Sequence, residues 1–135
     1  MRTLAVLGVA VLLSACQQEP RAVGAAAPAA EVQVEASRFL GGWSGRWGDC
    51  LDGKLTVASV EPSGAMSGIY AFGNCAEWRI TAGSAPVRGR IEAGTLTLER
   101  FPNGARVIYR MQGDGSLAGT YTLGSNVTQG VFRKE

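Results

Sequence analysis

The chain has no histidine, and its only lysines are Lys54 and Lys134. The usual acid–base and nucleophilic constellations cannot be assembled from what remains, so no enzyme activity is expected. Cysteine is scarce too. Cys16, Cys50 and Cys75 are all there are, with no Cys-x-x-Cys pair, and neither a metal site nor any other cofactor is expected. Charge of one sign is also missing: 13 basic residues face 11 acidic ones. That balance implies no strongly basic face, and nucleic acid is not an expected partner. The apolar run from Leu4 to Leu13 is too short to cross a bilayer, which takes about 20 helical residues.

What the first residues do contain is an export pattern: Arg2, the short apolar run, then small residues before Cys16. Leu13-Ser14-Ala15-Cys16 resembles the lipobox of bacterial lipoproteins. The resemblance implies a signal peptide over residues 1–15 and acylation of Cys16. Several acyl chains on one residue anchor stably where a single chain does not. Gln17 after the cysteine is similar to the pattern sorted to the outer membrane, with the protein facing the periplasm. Residues 16–37 then read as a lipidated cysteine and an Ala/Pro-rich tether, part of which could form a short helix. Residues 38–135 are left as one domain. With Cys16 lipidated, Cys50 and Cys75 form one disulfide in an oxidising envelope. Closing that loop of about 25 residues is worth roughly 3 kcal/mol.

The rest of the chain alternates with period two between turns. Asp52-Gly53, Ser63-Gly64, Asn103-Gly104 and Asp114-Gly115 are turn signals. Between them Leu55 and Val57 share a face, as do Met66, Gly68, Tyr70 and Phe72, then Val107, Tyr109 and Met111, then Leu117, Gly119, Tyr121 and Leu123. Arg79, Arg88, Arg90, Arg100, Arg106 and Arg110 fall mostly on outward positions, where arginine keeps a sheet soluble and blocks edge pairing rather than forming an anion site. Short strands at this spacing predict an all-β fold, a small eight-stranded antiparallel up-and-down barrel. Two echoes fit repeated hairpins: Gly53–Val57 with Gly94–Leu98, and Gly64–Tyr70 with Gly115–Tyr121. Mid-strand Gly68 and Gly119 mark places where the wall bends.

Gly41-Gly42-Trp43 resembles the G-x-W that opens the first strand of lipocalin-like (calycin) barrels. In those barrels the Trp packs against an Arg of the last strand, which implies that Trp43 meets Arg133. The order Trp43, Cys50, Cys75, Trp78, "GTLTL", "DGSLAGTY" is most similar to the bacterial metalloprotease-inhibitor family. That resemblance implies a protein-binding barrel acting on a protease or another envelope protein, with Ser37, Arg38, Phe39 and Leu40 as the contact strip. The hairpins also look avidin-like, but the Trp and hydroxyl positions of that ligand site are not matched.

Three functions follow, in this order. The first is a membrane-tethered, non-catalytic protease-inhibitor-like barrel with a filled interior and an exposed strip at Phe39 and Leu40. The second is a barrel holding a small apolar ligand in a mouth lined by Tyr70, Phe72, Tyr109 and Tyr121. The third is a structural envelope lipoprotein without a discrete ligand.

Overall fold

A computed structural model describes residues 30, 31 and 33–135. Cys16, the leader and most of the tether lie outside the described residues. Eight strands follow one another: β1 (Gly41–Trp47), β2 (Leu51–Val60), β3 (Ala65–Phe72), β4 (Gly83–Glu92), β5 (Thr95–Leu98), β6 (Arg106–Met111), β7 (Leu117–Leu123) and β8 (Asn126–Lys134). Each pairs antiparallel with the next, and β8 returns to pair with β1, closing an up-and-down barrel. This is the all-β, eight-stranded barrel that the alternation predicts.

Period-two alternation decides which residues fill it. Trp43, Trp47, Leu51, Leu55, Val57, Leu96, Val107, Tyr109, Leu117 and Phe132 are at most 2% exposed. Burying a side chain of this size contributes roughly 1.5–3 kcal/mol, so this inward row holds the fold together. Gly119 is inward as well, because a side chain there would meet the Trp47 ring, whose Cη2 lies 2.6 Å from the position of an added Cβ. At Gly68 the obstacle is the Thr56 carbonyl, beside a bulge in the β2–β3 ladder between Val57 and Ser59.

Three of the four turn signals are turns. Gly64, Gly104 and Gly115 take positive φ of 88°, 86° and 84°. Asn103 Oδ1 and Asp114 Oδ1 accept from the backbone N–H two residues on, at 3.0 and 2.9 Å. Asp52-Gly53 is not a turn; it lies inside β2. Asp52 stands opposite Arg46 of β1 and accepts its Nε–H at 2.7 Å, while Gly53 makes room for Trp47 and Phe132. The first echo therefore fails, since Gly53 is mid-strand and Gly94 is in a turn. The second holds: Gly64 and Gly115 are both turn glycines, and Gly68 and Gly119 both lie four residues into the unit.

One end of the barrel is sealed by its own N-terminal segment. Residues 33–37 are helical, and Ala36 and Phe39 are 3% and 0% exposed. The folded unit thus takes in residues expected to belong to the tether. Trp43 Nε1 donates to the Phe39 carbonyl at 2.8 Å. The cation over Trp43 is Lys134, with Nζ 5.2 Å from the ring, and not Arg133. Register explains the correction: Lys134 stands opposite Trp43 in the β1–β8 ladder, whereas Arg133 stands opposite Ser44 on the outer face.

Candidate functional site

The opposite end is built differently. Its loops are 48–50, 73–82, 99–105 and 124–125. Cys50 and Cys75 are joined there, with Cα atoms 5.5 Å apart, as their isolation in the sequence predicts. Cys75 and Ile80 exchange both backbone hydrogen bonds at 2.9 Å, which turns "CAEWRI" into a tight loop presenting Glu77, Trp78 and Arg79. Arg79 sits at φ 56°, a left-handed conformation costing a non-glycine residue roughly 1–2 kcal/mol. Asn74 Oδ1 accepts the Ala82 N–H at 2.8 Å and ties the base of the loop.

Below these loops lies a continuous aromatic cluster. Trp47 is its hub, with ring centroids 4.8 Å from Phe132, 5.8 Å from Tyr109 and 5.9 Å from Tyr121. Tyr70 continues it to Phe101 at 5.4 Å and Phe72 at 6.0 Å. Separations of 4.5–7 Å are those at which aromatic pairs attract beyond simple burial. Tyr70 and Tyr109 are 4% and 0% exposed, whereas Phe72, Phe101, Trp78 and Tyr121 are half-buried towards the loops.

The polar atoms of the cluster converge. Trp47 Nε1 donates to Tyr70 Oη at 2.7 Å, and Asn103 Nδ2 reaches Tyr121 Oη at 3.4 Å. The Tyr109 hydroxyl is fully buried and has no hydrogen-bond partner among the described residues. Burial pushes the Tyr70 hydroxyl up to about 12; the hydrogen bond from Trp47 opposes that, and Tyr121 adds to it. Burial holds Tyr109 well above the ordinary tyrosine range, with Tyr70 nearby contributing. Both hydroxyls therefore stay protonated, which makes them donors rather than bases.

The structure brings Tyr70, Tyr109 and Tyr121 to the Trp47 indole, while Phe72 meets only Tyr70; Tyr70 and Tyr109 are deep, Phe72 and Tyr121 half-buried. Alternation alone also puts Trp47 inside, but gives no hint that it is the hub. Phe101 and Trp78 lie on loops, outside any alternating segment, and carry no such signal. The strip at residues 37–40 is not an exposed apolar surface. Phe39 is core because the helical turn folds it over the barrel end, with its N–H bonded to the Ala36 carbonyl at 3.2 Å. Ser37 Oγ is turned back to the Val34 carbonyl at 2.7 Å, Arg38 is exposed, and Leu40 is 37% exposed.

No protein-family model and no curated protein matches the chain. Among solved structures, the wild-type fluorescent protein UnaG is similar at 13% identity and a TM-score of 0.45, over 74% of this chain and 99% of that one. An asparagine-to-alanine mutant of UnaG is similar at 13% identity and a TM-score of 0.49, over 73% and 97%. The likeness is one of overall barrel shape.

Proposed function

We propose that the protein is a non-catalytic binding barrel, lipid-anchored at the outer membrane through Cys16 and facing the periplasm, that takes a small ligand at its aromatic end. The observation that carries this reading is the buried, unpartnered hydroxyl of Tyr109, whose ring packs on Trp47, the indole that also meets the half-buried ring of Tyr121. Buried hydroxyls in native proteins are nearly always paired, because leaving one unpaired costs about 1–3 kcal/mol. Tyr109 therefore offers a donor to an acceptor from outside the chain. The ligand has an apolar or aromatic body that stacks on the rim and one oxygen acceptor that reaches inward. A protease-directed strip at Phe39 has no support of this kind, since that side chain is in the core.

The test is a fluorescence titration with anilinonaphthalene sulfonate and with simple aromatic and short-chain carboxylates. Saturable one-to-one binding that quenches tryptophan and weakens about tenfold in Tyr109→Phe supports the reading, a tenfold loss being the worth of one hydrogen bond. If none of these probes binds saturably, the small-ligand reading falls.

A further inference from the structure

A second feature lies on the outer wall formed by β6, β7 and β8. The outward strand positions there carry Arg106, Arg110 and Arg133 and no carboxylate. Among the described residues the ion pairs are Arg46–Asp52 and Lys54–Glu135, so these three arginines have no acidic partner within ion-pair distance. Nor do they guard a sheet edge, because the closed barrel has none. Asp114, in the turn before β7, is held down first by its hydrogen bonds from Ser116 and only in smaller part by Arg133.

Between the arginines the outward positions are uncharged and mixed, with Ile108 and Ala118 beside Thr120, Thr122 and Gln129, and two exposed valines. Val127 and Val131 are 61% and 55% exposed. Arg106 lies in one cross-strand row with Val127, and Arg110 in another with Val131, each through one residue of β7. Neighbouring strands are about 4.8 Å apart, so each valine is roughly 10 Å from its arginine. The opposite side of the barrel differs in carrying acids with its arginines: Glu61, Glu92 and Glu99 line an outer groove of about 940 Å³ along β3 to β5 together with Arg88 and Arg90.

We infer that the β6–β8 wall is the face the barrel lays on a bilayer bearing anionic headgroups. Guanidinium groups pair with phosphate and carboxylate oxygens, and exposed valines favour the interface beneath them. The path of the chain agrees. Glu35 and Arg38 of the N-terminal segment share a groove with Arg110 and Gln112, so the tether enters beside one end of this wall. The stretch from Cys16 to residue 30 spans at most about 50 Å even when fully extended. An anchor at Cys16 therefore keeps the wall within reach of the membrane. That last step rests on the anchor proposed above; the charge argument does not.

The experiment uses the full chain on vesicles of phosphatidylcholine alone and of phosphatidylcholine with phosphatidylglycerol. Arginines are labelled with phenylglyoxal and located by mass spectrometry, with Arg88 and Arg90 of β4 as internal controls. The expected result is that anionic vesicles slow labelling of Arg106, Arg110 and Arg133 by roughly tenfold or more, leave Arg88 and Arg90 unchanged, and lose the effect in high salt. Replacing all three wall arginines by Gln abolishes charge-dependent vesicle binding. Retention on anionic vesicles but not on neutral ones supports the wall and counts against the anchor. Equal labelling of the three arginines on both vesicle types overturns the inference, and so does equal slowing of Arg88 and Arg90. An acidic protein partner is the alternative that such a result would favour.

Discussion

At Tyr109, stability and the proposed binding role pull in opposite directions. Its ring packs against Trp47 and Phe132, but its hydroxyl is buried without a partner. Tyr109→Phe keeps the ring and removes the unpaired oxygen. The variant is expected to be as stable as the parent or up to about 1 kcal/mol more stable, read as an unchanged or higher urea midpoint. A residue selected for packing alone would gain from that change, whereas one kept for a ligand would lose affinity with it. The same cluster sets the alkaline limit. Tyr70 and Tyr109 ionise in the unfolded chain near pH 10, but in the fold burial raises both, Tyr70 to about 12. Their contribution is fully present below pH 10 and is lost as pH rises through the folded values. Thermal melts are expected to fall steeply between pH 10 and 12, and absorbance titration of the folded protein to show the deep tyrosines ionising late. A melt that stays flat across that interval would contradict the burial argument.

At the level of the element, the β4–β5 hairpin shows what composition hides. Its turn, Ala93-Gly94, has positive φ at both residues, 49° and 72°, the geometry that suits the right-handed twist of the flanking strands. Gly94 adopts this freely, and its carbonyl accepts the Met111 N–H at 2.9 Å. Ala93 pays for its Cβ. Ala93→Asn, which tolerates the left-handed region, is expected to raise stability by about 1 kcal/mol, a rise of roughly 4 °C in Tm by calorimetry. Because the sequence reads Ala-Gly, the turn carries no dipeptide signal, whereas Asn103-Gly104 and Asp114-Gly115 announce theirs. The strands themselves were legible because closure leaves every one of them half-buried, which imposes alternation from β1 to β8. Register was less legible. Lys134 rather than Arg133 covers Trp43 because one residue of register exchanges the two faces of β8, and nothing local in "VFRKE" fixes which residue points inward. Of the candidate site, the strand residues Tyr70, Phe72, Tyr109 and Tyr121 could be read from alternation. Phe101 and Trp78 could not, since tertiary contacts alone place loop residues.

For the whole molecule, the two ends of the barrel divide the work. The end at Phe39 is a plug: Phe39 and Trp43 are at most 1% exposed, Trp43 donates to the Phe39 carbonyl, and Lys134 lies over the indole. The other end has half-buried rings, a disulfide-tied loop and a strained Arg79. Strain and partial burial concentrate where a surface must meet something else. Truncation at the two ends should therefore have separable consequences. Phe39→Ala opens a cavity at the plug and is expected to cost about 3–5 kcal/mol, seen as a lower urea midpoint, with ligand affinity of the still-folded fraction unchanged. Trp78→Ala removes a half-buried ring from the rim, costing about 1 kcal/mol of stability but most of the binding. If instead Phe39→Ala abolishes binding while leaving stability intact, the plug is the recognition surface and the assignment of the two ends must be reversed.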